Sequence, residues 1–141
     1  MITGIGTDII EIYRIENAVK RTTSFIDKVF TCKEKDYFKS KNFKAEVMAG
    51  NFAAKEAVSK ALGTGFRGFG LLDIEILRDE KGKPIVNLSD KICEILSLSN
   101  FKIHVSISHS RENAIAYAIL EVIEWLMFYH QINVVKWTET P

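Results

Sequence analysis

Cysteine is scarce in this 141-residue chain. Its two cysteines, Cys32 and Cys93, lie far apart and in no CxxC pair. Neither a disulfide framework nor a zinc site is expected, and reduced thiols suit a cytoplasmic protein. Long apolar runs are missing too. The most hydrophobic stretch, 114–129, is broken by Glu121 and Glu124 and is too short and too charged to cross a bilayer. No basic segment followed by an apolar one opens the chain, so no secretory leader is expected. Net charge is only +1 at pH 7, which excludes a chain that is polybasic throughout. Repeats, linkers and low-complexity tracts are absent.

What is present suits one packed domain over residues 1–141. Hydrophobic residues make up 47% and charged residues 26%, with nine Phe and two Trp, the composition of a folded protein with a real core. The charge is uneven. From Arg14 to Lys44 there are nine Lys/Arg against four Asp/Glu, which leaves the remainder net negative. A local basic surplus is either a solvated helical surface or a landing site for an acidic partner or phosphate.

Residues 2–12, ITGIGTDIIEI, read as a strand whose glycines, Gly4 and Gly6, permit a close approach. A helix is expected over 14–22, with Ile15, Val19 and Thr22 inward. Thr31 and Glu34 form a capping-box pattern for a helix over 32–40. The strongest helical segment runs from Phe43 to Leu62, Ala-rich, free of proline and stopped by Gly63. DIEIL and KPIVNL then suggest a hairpin turning at Asp79–Gly82. Ser89 is placed to cap a helix over 90–98. FKIHVSISHS alternates, with Ile103, Val105 and Ile107 on one face and His104, Ser106 and Ser108 on the other. AIAYAILEV follows as a strand, and 121–141 as a C-terminal helix or tail. Strands and helices mixed without βαβ alternation indicate an α+β fold with mainly antiparallel pairing.

On a helical wheel, Phe43, Val47, Ala54, Val58 and Ala61 form an apolar stripe, with Lys44, Asn51, Lys55 and Ser59 as a polar strip beside it. The opposite side should be solvated, yet it carries Ala49, Phe52 and Ala53 with Glu56 and Lys60. Glu56 and Lys60, at i and i+4, make a common surface ion pair. They could also stand at a site where small alanines let something approach the backbone. Asp8, following GIG in an apolar strand, is either a strand-end acid facing water or a second site carboxylate. Two carboxylates suit Mg²⁺, which completes its shell with phosphate and water. GTGFRG at 63–68 matches the string GxGxxG, but it follows a helix instead of opening one, which rules out a dinucleotide-binding reading. His104 and His109 point to opposite faces of one strand and make a poor metal pair.

Three strings, GIGTDIIEIYRI at 4–15, FAAKEAVSKALGTG at 52–65 and HVSISHS at 104–110, with DEKGKP at 79–84 between them, resemble the holo-acyl-carrier-protein synthases. The likeness runs in order from about residue 2 to about residue 122, and the middle string is the most specific. It implies a 4′-phosphopantetheinyl transferase-like fold, a mainly antiparallel sheet against one long helix, assembled as a homotrimer with sites between subunits. It implies transfer of phosphopantetheine from coenzyme A to a serine of acyl carrier protein, with Mg²⁺, in fatty acid biosynthesis, and no nucleic-acid or membrane partner. By matching positions, Asp8 and Glu56 are the metal carboxylates and Lys60 is the phosphate-binding lysine. Gly63, Thr64 and Gly65 meet the coenzyme, with Lys83, Pro84 and His104 as further coenzyme contacts. Arg14 and Arg21 receive the carrier protein.

Asn51 departs from the pattern, since the family commonly has Arg there; Lys55 or Arg67 could replace its charge. The sequence leaves two alternatives. One is a transferase for another carrier, such as a peptide-synthetase domain. The other is a non-catalytic module gripping nucleic acid with the basic 14–44 segment, although no RNP, KH or helix-turn-helix signature accompanies it.

Overall fold

The computed structural model describes residues 1–123; the helix or tail expected over 121–141 falls almost wholly outside them. Strand β1 (Ile2–Glu11) leads into helix α1 (Ile12–Arg21), followed by α2 (Phe25–Val29), α3 (Cys32–Ser40) and α4 (Ala45–Ala61). After a loop and a short 3₁₀ turn come β2 (Ile74–Arg78), β3 (Pro84–Leu88), α5 (Asp90–Ile95), β4 (Phe101–His109) and β5 (Asn113–Val122). The sheet order is β1-β5-β4, all antiparallel, and β2 and β3 form a separate hairpin. The fold is therefore α+β with antiparallel sheets.

The register explains which residues face the core. In β5, Ala114, Ala116, Ala118 and Leu120 are buried while Ile115 and Tyr117 are exposed, the period-2 alternation of a half-buried strand. The inward side packs on α4. The helix lies unusually close to β1: a Cβ added at Gly6 would stand 1.8 Å from the Ala57 carbonyl oxygen, and one at Gly4 1.8 Å from that of Ala61. Both obstacles are helix backbone, which no rotamer change can move. Gly6→Ala is therefore expected to cost about 3 kcal/mol or more, at the top of the usual overpacking range. Gly70→Ala, where added bulk meets nothing within 4 Å, should change stability by less than about 0.5 kcal/mol. Urea denaturation of both variants checks the contrast.

The capping box of α3 is present, with the Thr31 side chain accepting from the Glu34 N–H and the Glu34 carboxylate accepting from the Thr31 N–H. Several expectations need correction. Helix α1 begins at Ile12, two residues earlier than expected; that residue is buried, and its N–H, which has no partner within the helix, donates to the Glu112 carbonyl at 2.8 Å. Thr22 is exposed at the helix end. Phe43 lies outside α4 and is 42% exposed. Asn42 and Phe43 both take positive φ, and the Phe43 N–H closes the end of α3 on the Phe38 carbonyl. Ser89 does not cap α5; its hydroxyl donates to Asp73 at 2.8 Å. That helix stops at Ile95, before a positive φ at Ser97.

The wheel reading of α4 is the main correction. Its supposed polar strip is interior: Asn51, Lys55 and Ser59 are all buried. On the side opposite the stripe, Ala49 and Ala53 are fully covered by the sheet, Phe52 and Glu56 are half-buried and Lys60 is exposed. The reason is a partner on each side, the sheet on one and α3 with β2 on the other. Lys55 Nζ lies 2.7 Å from the Glu34 carboxylate, both side chains fully buried. It also donates to the carbonyls of Val29 and Leu71. Glu34 further accepts from the Ile76 N–H, and Asn51 donates to the Ile76 carbonyl.

Candidate active site at the crossing of β1 and α4

Gly4, Gly6 and Asp8 lie on the same face of β1, the face turned to α4. Gly4 sits over Ala61 and Gly6 over Ala57, so strand and helix run in opposite directions here. Two strand residues advance about 6.6 Å and four helix residues about 6 Å. The same step therefore carries Asp8 one turn further toward the helix N-terminus, beside the turn that bears Glu56. The glycines that permit close packing thus also aim the carboxylate.

Asp8, Glu56 and Lys60 come together at this crossing. Lys60 Nζ is 3.1 Å from Asp8 Oδ1 and donates to the Thr7 carbonyl at 2.8 Å. The Asp8 side chain is 19% exposed and that of Lys60 53%. The Glu56 carboxyl is pushed above its ordinary range, first by burial and then by the Asp8 charge, with Lys60 pulling the other way. Two like charges are thus held near each other, with one ammonium against them. No cluster of three or more His, Cys, Asp or Glu occurs among the described residues.

A hard divalent cation fits this pair. The donors are oxygens, they carry more negative charge than Lys60 neutralises, and one is destabilised by its neighbour. With two protein acids available, the remaining coordination sites would go to phosphate oxygens and water.

The other expected residues are placed as follows. Gly63, Thr64 and Gly65 form the loop directly after α4, with φ of 83° at Gly63 and 59° at Gly65, the left-handed conformation that favours glycine. The loop follows a helix, as the rejection of a dinucleotide motif requires. Lys83 is exposed and Pro84 opens β3, both on the separate hairpin. His104 is on the outer face of the sheet. Ile107, three residues further along and so on the opposite face, packs on Gly50 of α4, where an added Cβ would stand 2.9 Å from its Cγ2. His104 instead pairs across the strands with Glu121 at 2.8 Å. Within one chain it does not join Asp8 and Glu56. Arg14 and Arg21 are exposed on α1 and line one shallow groove with Asn17 and Ala18.

The departure at Asn51 has a local answer. Lys55 is closed off from any ligand by its pairing with Glu34. Asn51 is itself buried, and Arg78 reaches it from β2, donating to its Oδ1 at 2.8 Å while standing over the Tyr37 ring. Arg67 remains exposed in the loop after α4. The buried role of Glu34 went unnoticed in the sequence, where its only signal was the capping box.

Comparison with known proteins places the chain in a family. A family model described as the 4′-phosphopantetheinyl transferase superfamily matches residues 4–119. A holo-[acyl-carrier-protein] synthase of Clostridium beijerinckii is 71% identical over 123 residues, covering 87% of this chain and all of that protein. One from Clostridium botulinum is 65% identical over the same extent. Among solved structures, a holo-(acyl-carrier-protein) synthase of Bacillus anthracis in complex with CoA (3′,5′-ADP) superposes with a TM-score of 0.74 at 41% identity, covering 87% of this chain and 99% of that one. The Helicobacter pylori synthase in complex with coenzyme A gives a TM-score of 0.74 at 35% identity, over 83% and 99% of the two chains. By motif, sequence and fold together, the chain belongs to the holo-[acyl-carrier-protein] synthases of the 4′-phosphopantetheinyl transferase superfamily.

Proposed function

We propose that this protein transfers the 4′-phosphopantetheine group of coenzyme A to a serine hydroxyl of an apo acyl carrier protein, with release of 3′,5′-ADP. The observation that carries the reading is the convergence of Asp8, Glu56 and Lys60 at the β1–α4 crossing, in a chain whose relatives bear that name and include two solved with the coenzyme. Incubating an apo carrier with coenzyme A, Mg²⁺ and the protein should add the mass of one phosphopantetheine arm. An unchanged carrier mass would refute the reading.

Asp8 and Glu56 are the residues that would hold Mg²⁺. When bound, the ion would supply neutralisation of the diphosphate oxygens, which phosphoryl transfer needs more than covalent help. The chain's own part is placement. Lys60 reaches the diphosphate and stabilises charge on the departing phosphate oxygen. The Gly63–Gly65 loop receives the nucleotide half. Arg14 and Arg21 steer the acidic carrier toward α1. The domain is taken to span the whole chain and to work in the cytoplasm, on a carrier used in fatty acid biosynthesis.

The assembly is a homotrimer in this proposal. Ile5, Ile9, Ile115 and Tyr117 are 58%, 64%, 44% and 44% exposed on neighbouring strands of the sheet's outer face. A contiguous apolar face of this kind calls for a cover. His104 lies on that face, so a neighbouring subunit packed there would receive it, with Lys83 and Pro84, beside its own Asp8 and Glu56. Glu substitutions at both Ile115 and Tyr117 should convert the trimer to monomer and remove transfer, read by light scattering and the carrier mass assay. A fully active monomer would contradict the shared site.

A further inference from the structure

We infer that Lys60 is the built-in counter-ion of Asp8 and Glu56, exchanged for the divalent cation only as the coenzyme diphosphate draws it away, so that metal and coenzyme bind together. This deepens the proposed metal site and rests on that reading. Lys60 Nζ is 3.1 Å from Asp8 Oδ1 and is anchored by the Thr7 carbonyl at 2.8 Å. Glu56 lies one helical turn before it on the same face. The ammonium thus already sits against one of the two carboxylates that a divalent cation would need and lowers the charge felt at the other, and two cations that close repel strongly.

Lys60 is well suited to move. Its side chain is half exposed, on a flexible four-carbon stem, and its two contacts are the only bonds it makes among the described residues. One turn further along α4 lies the Gly63–Gly65 loop. An ammonium released from Asp8 therefore stays within reach of a phosphate bound between that loop and the carboxylates. The same residue balances charge in both states: with the carboxylates before loading, and with the diphosphate after it. Before loading, Lys60 weakens metal binding; once coenzyme is present it no longer does so. The coupling between metal and coenzyme follows from this change of partner.

The test is Mn²⁺ binding to the full chain, followed by the electron paramagnetic resonance of free Mn²⁺, with and without coenzyme A and corrected for binding by the coenzyme itself. Lys60→Met should bind Mn²⁺ without coenzyme about tenfold more tightly than the unmodified chain, and coenzyme should then enhance its Mn²⁺ affinity less. Lys60→Arg, which keeps the charge, should behave like the unmodified chain. Circular dichroism verifies that both variants fold. Equal or weaker Mn²⁺ binding by Lys60→Met, while the unmodified chain binds Mn²⁺ with coenzyme, overturns the exchange alone. Failure of the unmodified chain to bind Mn²⁺ even with coenzyme overturns the metal-site reading beneath it.

Discussion

Replacing Glu56 with Gln is expected to leave a folded protein and to lower the rate of phosphopantetheine transfer by about a thousandfold or more, since a metal ion that stabilises transferred charge contributes several kcal/mol. Gln keeps the size and polarity of the side chain and removes one of the two anionic ligands. Folding should not suffer, because Glu56 is held against its own preference. Burial, and then the neighbouring Asp8 charge, raise its carboxyl above the ordinary value of 4.5. A carboxyl whose folded value is raised keeps its proton longer in the folded chain than in the unfolded one. The stability linked to it is fully present below about 4.5 and is lost as pH rises through the folded value. At neutral pH without metal, Glu56→Gln should therefore melt at a higher temperature than the unmodified protein. The difference should shrink toward zero as pH is lowered past the ordinary carboxylate value. Calorimetry across pH, with the mass assay alongside, separates the two effects. A variant that transfers normally would remove Glu56 from the metal site, and one that melts lower at neutral pH would give Glu56 a structural role.

Lys55→Met should destabilise the fold by about 3–5 kcal/mol, although Lys55 is adjacent to Glu56 and belongs to the same motif. Its ammonium is fully buried on Glu34 and on two backbone carbonyls. Burial pushes the Lys55 ammonium down from its usual range, opposed first by Glu34 and then by Glu75. Removing the lysine leaves a buried carboxylate with neutral donors only, from Thr31, Ile76 and Asn51. Changing both partners, Glu34→Leu with Lys55→Met, should recover part of the loss, because no uncompensated charge remains. Recovery should be incomplete, since those N–H donors and the carbonyls of Val29 and Leu71 lose partners. Urea denaturation of the two single variants and the double variant gives the coupling directly. Additive losses would show that the pair carries no net interaction.

Glu56 and Lys55 also show what was legible in the sequence. Asp8, Glu56 and Lys60 stood out because local pattern carries them: glycines at alternate strand positions, a carboxylate in the same phase, and an acid and a base one helical turn apart. The β4 alternation likewise fixed His104 opposite Val105. A helical wheel misplaces Lys55 because it records direction and not what lies there. Its solvent was replaced by α3 and β2, whose approach depends on Glu34, a residue twenty-one positions away. Phe43 falls outside the helix for a backbone reason. Two successive positive φ angles at non-glycine residues are imposed by the α3–α4 junction and leave no mark on hydrophobic periodicity. Asn51 read as a lost charge, but the guanidinium beside it comes from Arg78 on another element.

Anomalous diffraction from crystals grown with Mn²⁺ and coenzyme A addresses the central claim most directly. The account predicts one strong peak bridging a carboxylate oxygen of Asp8, one of Glu56 and the coenzyme diphosphate. A peak elsewhere, or a bound coenzyme with no metal between those two side chains, would contradict it.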